Sequence, residues 1–392
     1  MGKIVIASQY IRESQNSTGY YYGALINGLK PVFDRIDVIS DAPPSVPRKT
    51  RDEYFSTKSS KNRLLARLLE QVALSFRFGW RVSRSLNRRD VLVTGTNPVL
   101  FLPLITFLKF FCGFRWCLIA HDVFPDNLIP AGILSRNSIL YRLIDAFFRK
   151  VYQAADKVVV IGRDMEKLFI YKIGSPKPVI LIPNWASDQE VFPISRCEAP
   201  FINDLGWKDK IVFQFFGNIG RLQGIDNLLQ AIALTKNADA AFLFIGAGAM
   251  VGSINKFILE NPGKNVAYVG PLPLDRKNLG LAACDVAIVT LEAGMSGLGV
   301  PSKSYFSMAA DKPILAVMDN SAEISIVVNE YSIGWICESG NPEKLAGLID
   351  GISRNDISRL SGRPRAVLQE LFSEKRALSA YKQTISELLE GS

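Results

Sequence analysis

Two stretches combine glycines with cations in a way that could grip an anion. Gly217-Asn218-Ile219-Gly220-Arg221-Leu222-Gln223-Gly224 follows the apolar run Ile211 to Phe216 and precedes an amphipathic run through Leu228, Leu229 and Ile232. Three glycines between a strand and a helix let the backbone approach an anion closely, and Arg221 offers a planar guanidinium fork for phosphate. The spacing matches neither G-x-G-x-x-G nor a Walker A loop, so a purely structural turn stays open. In GMSGLGVPSKSYFSMAADKP, Gly294 to Pro313, a glycine-rich turn runs into Pro301 and a helix whose first turn carries Ser302 and Lys303. A lysine there opposes the helix dipole, and a bound pyrophosphate would offset that cost.

The first half holds two further candidates. Asn16-Ser17-Thr18-Gly19 is a polar loop before a helix, and Gly19 either touches phosphate or simply turns the chain. His121-Asp122 closes the apolar run Trp116 to Ala120, which puts both side chains at the carboxyl edge of a strand. A packed structural ring and a cleft-facing group are both consistent with His121.

These loops need a frame. Apolar runs at residues 3–7, 36–39, 91–94, 116–120, 157–161 and 179–182, then 211–216, 241–246, 266–269, 285–290, 313–317 and 334–337, alternate with helical segments. The alternation predicts an α/β fold with two doubly wound, Rossmann-like domains facing across a cleft, because ligands sit beyond the carboxyl ends of parallel strands. Proline and polar residues gather between Pro183 and Pro200, which sets the expected units at 1–185, a linker at 186–200 and 201–372. The helix expected over 373–392 could return to the first unit.

Composition narrows the function. The 392 residues are 48% hydrophobic and 21% charged, which excludes a disordered or fibrous chain. Five cysteines without CxxC spacing argue against a disulfide framework or a Cys-rich zinc site, and one histidine excludes multi-histidine metal sites. No long apolar leader opens the chain, so a cytoplasmic location is expected. Val99 to Phe114 is broken by Pro103 and Lys109 and is too short for a spanning helix.

The net charge of +9 is not spread evenly. Up to Ser195 there are 27 Lys and Arg against 16 Asp and Glu, and beyond it 19 against 21. Much of the excess lies in residues 61–89, where Leu64, Leu65, Leu68, Leu69, Val72 and Phe76 recur at helical spacing among arginines. This basic amphipathic helix is read as a solvated helix packed on the core or as a contact for an anionic membrane, with Phe76, Phe78 and Trp80 interleaved among the arginines. Nucleic acid is disfavoured, since no recognition motif accompanies the basic stretch.

GNIGRLQG, FIGAGA, VGPLP, PSKSYFSMAADKP and IPNW together resemble family 4 glycosyltransferases of the GT-B fold, especially those building O-antigen and exopolysaccharide. The likeness spans nearly the whole chain and is more specific in its second half. It implies a metal-independent, retaining transferase without a cofactor, taking a sugar from a nucleotide-diphosphate donor to a saccharide acceptor, lipid-linked in this reading. The first unit would bind acceptor and the second donor. The resemblance carries Arg221 and Lys303 onto the donor diphosphate with Ser302, Asn218 and Gly220 beside them. It carries Gly297, Leu298 and Gly299 onto the donor sugar, and Gly270 with Leu272 onto the nucleobase. Gly19 would lie near the diphosphate from the opposite unit, and His121 or Asp122 beside the transferred sugar. Two glutamates usual in the family are replaced by Leu298 and Phe306; the second normally holds the ribose. A catalytically silent homologue binding a partner transferase is one alternative, and a nucleotide-sugar 2-epimerase another, although one histidine is too few for the latter.

Overall fold

A computed structural model describes residues 2–40, 60–174 and 179–391, without the side chains of 60–68 and 70. The first half runs β1 (Ile4–Ala7), α1 (Ser17–Leu29), β2 (Ile36–Ile39), α2 (Ser60–Ser85), β3 (Val91–Gly95), α3 (Phe101–Cys112), β4 (Arg115–Ala120), α4 (Ile139–Gln153), β5 (Lys157–Val160), α5 (Arg163–Ile173) and β6 (Val179–Leu181). The second runs α6 (Pro200–Asp204), β7 (Ile211–Phe216), α7 (Ile225–Leu234), β8 (Ala240–Ile245), α8 (Val251–Glu260), β9 (Val266–Tyr268), α9 (Lys277–Ala282), β10 (Val286–Thr290), α10 (Lys303–Ala309), β11 (Ile314–Val317), α11 (Glu323–Tyr331) and β12 (Gly334–Cys337). Helices α12 (Pro342–Gly351), α13 (Arg354–Leu360), α14 (Arg363–Leu371) and α15 (Glu374–Glu390) follow.

The strands form two parallel six-stranded sheets, ordered β2-β1-β3-β4-β5-β6 and β12-β11-β10-β7-β8-β9. Helices cover both faces of such sheets, which is why β1, β3, β8, β10 and β11 are unbroken apolar or β-branched runs buried at every residue. The strand order turns at β1 and again at β7, and the loops after these strands open into the crevice that this reversal leaves.

One face of the first sheet carries α2 to α5, whose buried side chains join one large apolar cluster, and the other carries α1. Helix α15 lies against α1, and its Ala377, Tyr381, Ile385 and Leu388 share a core with Ile4, Ile6 and Val93. The chain therefore passes between the halves twice. Ala186 and Ser373, one on each passage, pair as an isolated parallel bridge.

The orientation of α2 differs from the expected one. Leu74, Phe78 and Val82 pack inward, whereas Leu69 and Phe76 are 63% and 66% exposed. The cause is a close approach at Gly79, where an added Cβ would lie 2.2 Å from Leu104 Cδ2 of α3. Phe78 is core against Phe101, with ring centroids 5.5 Å apart, while Trp80 is exposed under the Arg84 guanidinium at 4.0 Å. Phe78 is thus no part of an interfacial row. Leu64, Leu65 and Leu68 lie outside the described side chains. Within Val99 to Phe114 only α3, Phe101–Cys112, is helical, and no described helix is long and apolar enough to cross a membrane.

Candidate functional site

The loops at the carboxyl ends of both sheets enclose a pocket of about 520 Å³. Ser17 and Thr18 of α1 line it with His121 and Asp122 after β4, and Asn218, Gly220 and Arg221 after β7 face them with Gly299 to Ser302 before α10. A second pocket of about 460 Å³ continues from it, sharing Ser17, Asn218, Gln223 and Ser302 and extending past Lys303 and Phe306 to Leu272 and Lys277. The two glycine-bearing loops from the second half thus meet on one cleft.

Lys303 supplies the site's most unusual charge. Its Nζ donates to Gln223 Oε1 at 2.6 Å and sits 3.6 Å from the centroid of the Phe215 ring. No carboxylate pairs with it among the described residues, and burial pushes its pKa well below the ordinary lysine value. A buried ammonium with one neutral partner is costly, and an anion beside it offsets that cost. Arg221 opens a short 3-10 turn after Gly220 and is exposed, with no ion pair among the described residues. One cation is therefore buried and the other exposed, and Gln223 lines both pockets between them.

On the opposite wall, His121 packs against Tyr21 and Tyr22 at 6.3 and 6.0 Å between ring centroids. Burial lowers its pKa from 6.5 to about 4, so the ring is neutral near pH 7, and its Nε2 has no hydrogen-bond partner among the described residues. Burial raises the Asp122 pKa, against the Asn97 amide, which donates to Asp122 Oδ2 at 3.3 Å. A Cβ placed on Gly299 would lie 3.4 Å from the His121 carbonyl oxygen, so the turn before α10 passes close to this pair.

Four of the expected residues do not line the cleft. Gly19 is buried under its own loop, where a Cβ would lie 2.0 Å from the Arg12 carbonyl oxygen, and Ser17 and Thr18 form the wall instead. Its amide donates to the Asn16 side chain at 2.9 Å, capping α1. Gly270 accepts the Gly246 amide through its carbonyl, and Leu272 carries that segment to the pocket. Leu298 is buried in the core, where a carboxylate would be desolvated. Gly297 faces away, its amide donating to Asp164 Oδ2 at 2.8 Å.

That bond exposes what motif reading misses. Asp164, on the first turn of α5, also accepts the Glu323 amide at 3.2 Å, and the Arg163 amide donates to Glu323 Oε2 at 2.7 Å. The Arg163 guanidinium reaches Glu323 and Glu330 of α11. Glu13 and Lys277 form another ion pair between the halves at the rim of the second pocket, and the Lys277 Nζ lies 4.8 Å from the Phe306 ring centroid. Phe306 itself meets Tyr20 edge-on at 5.2 Å. The one local signal was an Asp at the helix start after the strand Lys157–Val160, where acids suit a helix N-terminus for many reasons. Among the described residues no three His, Cys, Asp or Glu side chains gather as a metal site would need.

Residues 198–366 match the family described as glycosyl transferases group 1. The chain is 50% identical over 395 residues to the probable glycosyltransferase WbjE of Pseudomonas aeruginosa, covering 99% of each. It is 25% identical to WcaI of Escherichia coli, provisionally assigned as a colanic acid biosynthesis glycosyl transferase, over 85% of this chain and 87% of that one. Its fold is similar to that of Anabaena HepE, solved with UDP and glucose, at a TM-score of 0.72 and 14% identity over 99% and 100% of the two chains. Half-identity along the full length of a relative, on two facing parallel sheets, decides the matter: the chain belongs to the group 1 glycosyltransferases and is a glycosyltransferase of the GT-B fold.

Proposed function

We propose that this enzyme moves a sugar, with retention and without a metal, from a nucleotide-diphosphate donor to a lipid-linked saccharide during surface polysaccharide synthesis. The observation that carries the donor assignment is Lys303, a buried ammonium with no acid beside it in a cleft that Arg221 also lines. HepE, of similar fold, was solved with UDP. WbjE and WcaI are named as glycosyltransferases, and the WcaI name adds colanic acid, which supports polysaccharide synthesis here.

In this reading the diphosphate spans Arg221, Ser302 and Lys303, and the sugar lies against Gly299, His121 and Asp122. Breaking the bond between sugar and diphosphate leaves charge on the departing phosphate, and the two preorganised cations stabilise it more as the bond lengthens. The acceptor hydroxyl then attacks from the departing group's face, and a phosphate oxygen takes its proton. The nucleoside occupies the second pocket, with Phe306 as its apolar wall and the Glu13–Lys277 pair supplying polar contacts at the rim. The acceptor's lipid keeps the enzyme at the cytoplasmic face of an anionic membrane, the partner expected of residues 61–89.

Thermal melting with UDP, GDP and their sugars tests the donor, because a ligand that binds only the folded state raises the melting temperature. A shift with one nucleotide family and transfer from its sugars are expected. No shift with any of them would remove the donor assignment and favour the silent partner-binding homologue.

A further inference from the structure

Helix α3 is apolar along its length, FLPLITFLKFFC, yet the core uses only one face of it, through Phe101, Leu102 and Ile105. Phe107, Phe110 and Phe111 point outward at 60%, 84% and 63% exposure, and their rings meet edge-on at 4.8 and 5.2 Å. On one flank α2 presents Leu69, Phe76 and Trp80, all exposed. On the other, the Lys109 Nζ donates to the Ala154 carbonyl, tying α3 to the end of α4. The Arg149 edge of α4 turns toward Tyr171 of α5, which leaves Leu143 and Phe147, both exposed, on the edge toward α3. Three neighbouring helices thus share one apolar outer face, and folded monomers seldom leave so large a patch open without a use for it.

The exposed charged side chains described on these three helices are cationic, while Asp37 of β2, paired with Lys3, lies beside Trp80 and Arg84 at the edge of α2. Arg77, Arg81 and Arg84 of α2 and Arg142 and Lys150 of α4 are exposed, and among the described side chains of α2, α3 and α4 no acid is. Asp145 is turned inward onto Lys172 and Arg149, and Asp156, just after α4, pairs with Lys109. We propose that this face docks on an anionic lipid bilayer, with Phe107, Phe110 and Phe111 entering the acyl boundary and the arginines meeting lipid phosphates. A second copy fits poorly, since a two-fold contact would set cations against cations. Interfacial helices pair apolar residues with Lys and Arg in this way. The inference rests on the membrane-borne acceptor proposed above and gives it a route. Ala131 lines the first pocket and Ile133, two residues on, is 65% exposed in the loop leading to α4.

Sedimentation with vesicles tests it, using phosphatidylcholine alone and an equal mixture with phosphatidylglycerol. The full chain should sediment with the mixture and much less with phosphatidylcholine, and added salt should release it. Phe107→Ser/Phe110→Ser/Phe111→Ser, at three exposed positions, should lower partition by at least about tenfold while leaving melting temperature and nucleotide binding unchanged. Arg77→Gln/Arg84→Gln should narrow the gap between the two vesicles. Equal partition of the triple variant and the parent overturns the proposal. So does self-association without lipid that the triple variant abolishes, which would make the face a contact between copies. Nucleotide binding without vesicle binding removes this surface and spares the donor assignment, and the converse result removes the donor assignment alone.

Discussion

The Asp164 carboxylate accepts the amide of Gly297 at 2.8 Å, joining α5 of the first half to the turn beside the cleft in the second. With the amides of Met165 and Glu323 it has three backbone donors, and burial still raises its pKa. The turn from Gly297 to Gly299 is therefore held from across the interface.

Asp164→Ala strands these amides and should cost about 2–4 kcal/mol of stability. It should also lower kcat/KM by about tenfold to a hundredfold, because a turn that shifts slightly no longer presents Gly299 and Ser302 correctly. Asp164→Asn keeps an acceptor and should fall between the two. Urea unfolding with steady-state kinetics checks both effects; full activity in the alanine variant would make the bond a fold contact only.

Lys303→Met should stabilise the free enzyme by about 1–3 kcal/mol, since it removes a buried charge that has no acid to offset its desolvation. The same change should abolish the melting shift given by nucleotide. Because its pKa is lowered, Lys303 loses its proton at less alkaline pH than an ordinary lysine, and nucleotide affinity should weaken as it does so. A destabilised Lys303→Met protein that still binds nucleotide would contradict the assignment.

Arg221→Ala should lower kcat/KM by roughly tenfold to a thousandfold, the loss expected for one preorganised charged contact. Melting temperature should hardly move, because the side chain is exposed and makes no ion pair among the described residues. Unchanged turnover in this variant would refute its place at the diphosphate.

His121 gives a stability signature. Its pKa is about 4 in the fold against 6.5 for the free side chain, so the unfolded chain takes up the proton first as pH falls. Its contribution is complete above about pH 6.5 and is lost down to about pH 4, by about 3 kcal/mol in all. Asp122, whose pKa is raised, acts in the opposite direction. The comparison is therefore between the parent and His121→Gln across that window, where the variant should show the shallower slope.

Much of the frame was legible in the sequence because buried parallel strands must be continuous apolar runs, and the twelve runs lie at the observed strands within one or two residues. That Arg221, Ser302 and Lys303 would come to one cleft was legible because glycines between a strand and a helix mark where a backbone can meet an anion. Asp164 was not, since its partner Gly297 lies 133 residues away and no local pattern announces the pair. Nor was the facing of α2. That helix has apolar residues on two sides, and the fit of Gly79 against Leu104 decides which side goes inward. Leu298 and Phe306 show the limit of analogy: the positions aligned, but the residues there fill a core and a pocket wall instead of offering carboxylates.

The packing of α15 on α1 has a consequence for synthesis. The ribosome releases the six strands of the first sheet and α1 early, yet the core on that face is completed only by a helix encoded after the whole second half. The unit translated first is thus the one finished last, its core complete only once the second half has already been made.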